Sequence, residues 1–374
     1  MAAFARRQGG VWRGMSQDFT SLPALLSHGY DTMIDVRSPA EFAEDHVPGA
    51  INLPVLSDQE RAKVGTIYVQ ESRFLARKIG AALVFRNAAA HVETSLMDKT
   101  GGWRPLVYCW RGGQRSGSFA WMLAQIGWRS QVMSGGYRSY RRLVKGMLYD
   151  APLEYDLVAL DGYTGTAKTD LLHLLAARGV QMLDLEGLAE HRGSLLGQRA
   201  TPQPGQKAFE TRLAAALCRL DPTRPVLVEA ESSKIGARVI PPSLWAAMKR
   251  AHRIEVTADL PARAAYLVQA YDDILSDGDG LRRKLEPLRA YRGNAVVDGW
   301  FGLIGTGNNG DKLALTAALM QQHYDPAYAR SRKAHTFRTL AQIKAGSLDA
   351  TGLALVSDQI EAVMGRVKAE GKPG

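Results

Sequence analysis

The sequence is poor in cysteine and has no long apolar run. Its 374 residues include two cysteines, Cys109 and Cys218, which lie far apart and have unlike neighbours. Such a pair gives neither a disulfide framework nor metal-ligand spacing, and it suits a reducing compartment. No uninterrupted apolar stretch approaches the ~20 residues that a membrane-spanning helix needs. We therefore expect a cytoplasmic protein that does not enter a membrane.

Acidic residues are absent from positions 1–15, which carry Arg6, Arg7 and Arg13. This stretch also lacks the apolar core of a secretory signal, so we expect it to be a disordered extension. Over the whole chain, 47 lysines and arginines against 37 acidic residues give a formal net charge of +10. The excess favours a polyanionic partner, because lysine and arginine that neutralise phosphates release counterions.

The stretch around Cys109 has the pattern of a thiolate site. Apolar residues 105–108 predict a buried strand that ends at Cys109, and Ser116 is the predicted N-cap of a helix over 117–126. A cysteine between a strand end and a helix N-terminus is surrounded by backbone N–H groups, which favour thiolate over thiol. The alternative is a buried structural cysteine in an ordinary strand-to-helix turn.

The loop after Cys109 predicts a cradle for an anion. Arg111 and Arg115 add positive charge, and the pair Gly112 and Gly113 allows several N–H groups to face one anion. A structural cysteine would explain neither feature. We expect the anion to be a persulfide, or a related sulfur or selenium anion, on Cys109. The other predicted members of the cradle are Trp110, Gln114 and Ser116.

The first part of the chain resembles a rhodanese domain. The resemblance rests on the motif that starts at Asp35, on the motif that runs from His46 to Asn52, and on the strand that leads into Cys109. It implies an α/β fold over 16–145 in which the cysteine carries sulfur as a persulfide. The stretch 55–102 is longer than such domains need, is basic and has a helical pattern, so we interpret it as a helical insertion. A linker is expected over 146–155.

A second motif predicts a phosphate-binding loop. The order strand, glycine-rich loop, lysine, threonine and helix is that of a P-loop, in which N–H groups surround a diphosphate and the lysine balances its charge. The motif departs from the P-loop pattern at Ala167, which stands where the last glycine belongs. Alanine disfavours a positive φ, so we expect a shifted loop or an altered nucleotide pose. The predicted diphosphate-binding residues are Gly162, Tyr163, Thr164, Gly165, Thr166, Ala167, Lys168 and Thr169.

Two carboxylates are predicted beside this loop. The apolar stretch 225–228 predicts a parallel strand, and Glu229 and Glu231 follow at its carboxyl end. Carboxylates next to a P-loop strand can hold Mg²⁺ together with the threonine hydroxyl of Thr169. The alternative is a set of loop salt bridges with Lys234 and other nearby basic side chains.

The last third of the sequence contains basic clusters with tyrosines among them. Arginine and aromatic rings can hold phosphates and splayed bases, so these clusters predict an RNA surface. Helix faces that are basic for solubility alone give the same pattern. The predicted tRNA-binding residues are Arg282, Arg283, Lys284, Arg289, Arg292, Arg330, Arg332 and Lys333.

Taken together, the motifs resemble those of the tRNA 2-selenouridine synthases over nearly the whole chain. The resemblance rests on 108–116, 162–169, 184–194 and 228–236. It implies a two-stage change of a wobble 2-thiouridine: geranyl diphosphate alkylates the sulfur, and selenium from selenophosphate then replaces the S-geranyl group. It implies no tightly bound cofactor and does not decide whether Mg²⁺ is required. An enzyme that supplies selenophosphate is a possible further partner.

The resemblance also implies roles for the residues of the two loops. Lys168 and Thr169 would bind and stabilise the departing diphosphate. Cys109 would act in the selenium stage as nucleophile or selenium carrier, with Arg111 and Arg115 holding the anion. Trp110 would stack on a base or line the pocket, or else pack at a domain junction.

We expect the fold class to be α/β. A rhodanese-like domain is followed by a P-loop NTPase-like domain with a parallel sheet over 156–310 and a helical C-terminal region over 311–374. The alternative function is a rhodanese-type sulfurtransferase fused to an ATP-dependent kinase or ATPase that acts on a small molecule. Turnover of ATP without tRNA would favour that alternative.

Overall fold

The computed structural model describes residues 16–199, 201–230, 232–305, 308–333 and 338–370. The extension expected over 1–15 lies outside the described residues. The chain divides into two compact units. The first contains the described residues up to Ala151 together with Pro204–Cys218, and the second contains Pro152–Gln203 and the described residues from Arg219 onward.

The described strands form two sheets and one short hairpin. In chain order they are β1 (Ser16–Gln17), β2 (Thr32–Asp35), β3 (Ile51–Asn52), β4 (Pro105–Tyr108), β5 (Gln131–Met133), β6 (Leu157–Asp161), β7 (Met182–Leu183), β8 (Val226–Glu229), β9 (Lys234–Ile235), β10 (Arg238–Val239), β11 (His252–Thr257) and β12 (Thr339–Lys344).

The helices connect these strands and make up most of the C-terminal part. In chain order they are α1 (Leu22–Leu26), α2 (Pro39–Glu44), α3 (Asp58–Gln70), α4 (Arg73–Glu93), α5 (Gln114–Ile126), α6 (Gly136–Lys145), α7 (Lys168–Ala177), α8 (Leu185–Ala189), α9 (Gln206–Leu217), α10 (Pro242–Arg250), α11 (Leu260–Ala270), α12 (Asp272–Leu275), α13 (Gly278–Leu285), α14 (Arg289–Arg292), α15 (Asn294–Leu303), α16 (Asn309–Leu319), α17 (Asp325–Lys333) and α18 (Ala350–Glu370). Short π-helical segments cover Gly146–Asp150 and Met320–Tyr324, and a 3₁₀ turn covers Glu286–Leu288. No described helix is long and apolar enough to cross a membrane.

The first unit is built on a parallel sheet in the order β1-β5-β4-β2-β3. Its central strand, β4, is buried at all four residues, because helices cover both faces of a parallel sheet. Val107 of this strand packs with Ile34, Phe119 and Leu123 in the core. The predicted rhodanese-like α/β fold is confirmed.

The insertion consists of the two helices α3 and α4, as its sequence pattern predicts. Ser57 and Glu60 form a capping box at the start of α3. Asn87 of α4 ties the insertion to the unit, because its Nδ2 donates to the Val55 carbonyl at 3.0 Å and to Glu60 Oε2 at 2.9 Å. Val84 of α4 packs into the core of the first unit.

Helix α9 belongs to the first unit, although it lies within the stretch 156–310 that we assigned to one P-loop domain. The Tyr140 hydroxyl donates to Thr211 Oγ1 at 2.9 Å, and the Arg141 guanidinium pairs with Glu210. These groups are buried or nearly so, and each satisfies the other's hydrogen-bonding needs. The sequence shows that α9 has an apolar face but not which core that face joins.

The second unit is built on a parallel sheet in the order β12-β11-β6-β8-β7. Its central strand is β6, and Leu160 of that strand packs with Leu171, Leu227 and Ile254. The C-terminal region, which we expected to be helical over 311–374, also contains β12, which adds a fifth strand at the edge next to β11. Only Ile343 among its six residues is buried, so its sequence carries little strand signal.

The buried ion pair Asp35–Arg37 sets a stability prediction for the first unit. The Arg37 Nη2 lies 2.6 Å from Asp35 Oδ2, and both side chains are buried. Arg37→Met leaves a buried carboxylate without its counter-charge, which should lower the free energy of unfolding by about 3–5 kcal/mol in chemical denaturation. Arg104→Met breaks the half-exposed pair with Asp31 and should cost less than about 1 kcal/mol. Equal losses in the two variants would contradict this account.

Candidate active sites

Cys109 lies at the carboxyl end of the central strand β4, where its sulfur receives hydrogen bonds. Gly113 N donates to Cys109 Sγ at 3.4 Å and Ser116 Oγ donates to it at 3.3 Å. Burial alone would raise the pKa of the Cys109 thiol. The charge of Arg115 and the hydrogen bonds from Ser116 and Gly113 outweigh that effect, so the pKa is lowered. The site favours the thiolate.

The helix after the loop begins earlier than the sequence predicts. We expected Ser116 to be the N-cap, but α5 begins at Gln114 and its N-cap is Gly113. Gly112 has a φ of +62°, and a Cβ there would lie 2.5 Å from the Met133 carbonyl oxygen. The loop between β4 and α5 spans residues 109–113. Ser116 therefore lies inside the first helical turn, where its hydroxyl reaches the sulfur.

Arg115 is held in place by a carboxylate that the sequence analysis did not single out. Its Nη1 donates to Glu41 Oε2 at 3.0 Å, and Arg61 of the insertion contacts the same oxygen at 2.9 Å. The sequence could have pointed to Glu41, because this glutamate lies just after Asp35 in the motif on which the rhodanese resemblance rests. Arg111 is exposed, and the structure does not place it among the groups that lower the Cys109 pKa.

The N-terminus of α6 packs against the backbone of the Cys109 loop. Tyr137 N donates to the Cys109 carbonyl at 2.9 Å, and a Cβ at Gly136 would lie 2.2 Å from that oxygen. Trp110 is half-buried with its ring 5.3 Å from that of Tyr137. Gln114 is exposed. Trp110 therefore packs within the first unit while part of its surface stays accessible.

Ala167 adopts a backbone conformation that favours glycine. Its φ is 57° and its ψ is 32°, which is the left-handed region. For an L-residue this conformation costs about 1–2 kcal/mol. The methyl group is buried against Leu171 in the core, which offsets part of that cost. Ala167 therefore keeps a strained backbone conformation, and α7 begins at Lys168 directly after it.

Of the predicted diphosphate-binding residues, 162–167 form a loop after β6, and Lys168 and Thr169 begin α7. Gly162 and Gly165 both have positive φ, and a Cβ at Gly162 would lie 2.5 Å from the Val256 carbonyl oxygen. Lys168 Nζ donates to the Gly162 carbonyl at 2.8 Å. The loop lines a pocket of about 920 Å³ in the second unit. The N-terminus of α7 and the Lys168 charge make it a site for an anion.

Beside the loop, the Thr169 hydroxyl contacts two carboxylates. It lies 2.8 Å from Glu229 Oε1 and 3.3 Å from Glu186 Oε2. Burial, then the charges of Glu186 and Asp184, raise the pKa of Glu229 to about 8. The second oxygen of Glu229 is buried without a hydrogen-bond partner among the described residues. Glu186 was not predicted, although it lies three residues after β7. Glu229 is the last residue of β8, the strand between β6 and β7.

These oxygens fit a hard divalent cation, because Mg²⁺ prefers hydroxyl and carboxylate ligands. In the described ranges no three His, Cys, Asp or Glu side chains form a ready metal site. Glu231, the other predicted carboxylate, lies outside the described residues. Thr169 and Glu229 are thus the pair that would hold a cation at this loop.

The basic clusters divide into arginines bonded within the second unit and exposed ones. Arg282 donates to the Phe301 and Ile304 carbonyls, Arg289 pairs with Glu286 and Asp298, and Arg292 donates to His323. These three stabilise the helical region. Arg283 and Arg330 are exposed and Lys284 is half-buried. The side chains of Arg332 and Lys333 lie outside the description. tRNA binding by this surface stays a prediction.

Two family models match the chain. Residues 19–143 match the rhodanese-like domain, and residues 155–279 match the tRNA 2-selenouridine synthase AAA domain.

Similar proteins cover most of the chain. A tRNA 2-selenouridine synthase of Bordetella bronchiseptica is 33% identical over 360 residues, which cover 87% of this chain and 94% of the relative. Synthases of the same name from Nitrosomonas europaea and Pseudomonas syringae pv. tomato are 34% and 40% identical, and the matches cover 68% and 58% of this chain and 68% and 59% of those relatives.

A thiol titration tests the electrostatics at Cys109. In a Cys218→Ser background, Cys109 is the single cysteine, and its alkylation rate by iodoacetamide can be followed against pH. Arg115→Gln removes the charge that stabilises the thiolate, so the pKa of Cys109 should rise and the rate at neutral pH should fall. Arg111→Gln, at an exposed position, is the matched control with a smaller effect. An unchanged profile for Arg115→Gln would refute the assignment.

The raised pKa of Glu229 predicts a pH dependence of stability. Its folded pKa of about 8 lies above the ordinary value of 4.5, so the stability linked to this proton is full below pH 4.5 and is lost as the pH rises to about 8. Glu229→Gln cannot titrate, so urea denaturation at pH 5, 7 and 9 should show a flatter profile than the parent protein. Glu71→Gln, at an exposed position, should keep the parent profile. A parent profile in Glu229→Gln would show that the carboxyl titrates normally.

Proposed function

This chain belongs to the tRNA 2-selenouridine synthase family, a family of enzymes, and from that premise we propose that it converts the wobble 2-thiouridine of tRNA to 2-selenouridine through an S-geranyl intermediate. Geranyl diphosphate and selenophosphate are the proposed co-substrates. One observation supports the proposal: in each unit, a glycine-containing loop with a basic side chain follows the central strand of the sheet and leads into a helix N-terminus. One loop suits a diphosphate, and the other lowers the pKa of the Cys109 thiol.

The first stage uses the phosphate loop. The 2-thiouridine sulfur attacks C1 of geranyl diphosphate, a C–S bond forms, and the C–O bond to diphosphate breaks. Lys168 and the N–H groups at the start of α7 stabilise the charge that develops on the departing diphosphate. A magnesium ion held by Thr169 and Glu229 would neutralise part of the same charge.

The second stage uses the cysteine loop. Alkylation turns sulfur into a better leaving group. Selenium of selenophosphate then bonds to C2 of the base, the C2–S bond breaks and geranylthiol departs, and water takes the phosphoryl group as the P–Se bond breaks. Cys109 serves this stage, and Arg115 with the Gly113 amide and Ser116 hydroxyl holds the anion at the sulfur. The lowered pKa of Cys109 supports this role, because the thiolate is the reactive form.

The two stages predict separable defects. Cys109→Ala should leave S-geranylation intact and abolish selenium incorporation, as measured by mass spectrometry of the wobble nucleoside. Lys168→Ala should weaken the binding of geranyl diphosphate by about tenfold or more, since it removes a charge-assisted contact to the diphosphate. Cys218→Ser is the matched control and should keep both stages. Loss of both stages in a folded Cys109→Ala protein would contradict the division of labour.

A further inference from the structure

The pocket around the phosphate loop offers more than a diphosphate requires. Its volume of about 920 Å³ lies near the upper end of the ~300–1,000 Å³ that enclose one drug-sized ligand. Beyond the loop, its lining carries both rings and cations. They include Trp245, Tyr271, Tyr328, Arg192, Arg199 and Lys249. This composition suits a second ligand that has an aromatic ring and a negative charge.

One face of α10 contributes a tryptophan, a methionine and a lysine to this pocket. Trp245, Met248 and Lys249 stand at positions i, i+3 and i+4, which share one side of a helix, and all three line the pocket. Trp245 is half-buried. Lys249 is exposed, so its charge can meet a ligand at the mouth of the pocket.

The other rings of the pocket are already engaged. Arg192 lies over Tyr271 at 4.9 Å from the ring centroid, and the rings of Tyr163 and Tyr328 are 5.2 Å apart. In the part of the chain that the structure describes, no ring or cation stacks on Trp245. Trp245 is therefore the indole that offers a stacking face to a ligand.

The chemistry of geranyl transfer requires that the nucleophile share the pocket. A sulfur that attacks C1 of a prenyl diphosphate must approach within about 3–3.5 Å of that carbon. Because Lys168 and the loop hold the diphosphate, the thiolated base must come to the same place. Enzymes that act on a base extrude it from its stack and hold it between side chains.

We infer that the pocket of the second unit accepts the target nucleotide beside the diphosphate. The base stacks on Trp245, and Lys249 pairs with a phosphate of the tRNA backbone. This inference rests on the proposed geranyl transfer, and it assigns the site at which the two substrates meet. Stacking on an indole tolerates base modification, because every base presents a π-face.

The prenyl chain of geranyl diphosphate is the alternative ligand that could pack against Trp245. A lysine one helical turn away does not suit a hydrocarbon, whereas it suits a nucleotide phosphate. An apolar cleft shares Thr164 and Leu267 with the pocket, but its volume of about 30 Å³ is near that of one water molecule, so it is too small to enclose a prenyl chain. Leu275, Leu319 and Met320 line that cleft.

Two substitutions at Trp245 distinguish these occupants. Leucine keeps the pocket surface apolar but cannot stack on a base. Phenylalanine keeps the surface apolar and can also stack on a base. Trp245→Leu should raise the KM for 2-thiouridine tRNA by about tenfold, the loss expected for one stacked base, and leave the affinity for geranyl diphosphate unchanged. Trp245→Phe should stay close to the parent enzyme. A parent-like KM for tRNA in Trp245→Leu, or weaker binding of geranyl diphosphate, would overturn the inference.

Cross-linking of the unaltered enzyme gives a test that does not depend on the folding of a variant. An anticodon stem-loop with 4-thiouridine at the wobble position is irradiated on the enzyme, and the attached peptide is identified by mass spectrometry. Attachment to the peptide that contains Trp245 is expected. Attachment only to peptides outside α10 would overturn the inference. If the enzyme forms no S-geranyl nucleoside, the proposed function fails, while the cross-link still reports where the base binds.

Discussion

An anion buried in a protein must be met by hydrogen-bond donors and positive charge, and both units of this chain meet that need at the same point of a parallel sheet. The central strand β4 ends at Tyr108, Cys109 follows it directly, and α5 begins at Gln114. The central strand β6 ends at Asp161 and α7 begins at Lys168. In each unit the helix N-terminus and one basic side chain, Arg115 or Lys168, lie beside the place where we propose that an anion is held. The proposed chemistry depends on this repeated arrangement, because one loop stabilises a thiolate and the other a departing diphosphate.

The parts of the fold that depend on local pattern could be predicted from the sequence. Short apolar runs before glycine-rich loops predict β4 and β6, and the basic stretch 55–102 predicts the helices of the insertion. Two features could not be predicted, because they depend on contacts between distant segments. The edge strand β12 buries Ile343 alone among its six residues, and α9 joins the first unit through buried partners on α6, Tyr140 and Arg141. The pattern of α9 shows that it has a core face, but the partners of that face are set by tertiary packing.

The same distinction holds for the candidate sites. The loops at Cys109 and 162–169 could be located from residue types and spacing, but the side chains that support them could not all be found. Ser116 reaches the sulfur because Gly112 tightens the turn, and Glu41 reaches Arg115 across 74 positions of sequence. Among the basic clusters, Arg282 and Arg292 donate hydrogen bonds to backbone carbonyls of their own unit. An arginine that binds a carbonyl and an arginine that binds a phosphate look the same in a sequence, so the structure is needed to separate them.

The central claim is that one chain prepares a tRNA sulfur by prenylation and then exchanges it for selenium. The most direct test is mass spectrometry of the wobble nucleoside after 2-thiouridine tRNA is incubated with the enzyme, geranyl diphosphate and selenophosphate, each omitted in turn. We predict S-geranyl-2-thiouridine when selenophosphate is omitted, 2-selenouridine when both are present, and unchanged 2-thiouridine when geranyl diphosphate is omitted. Formation of 2-selenouridine without geranyl diphosphate would contradict the account.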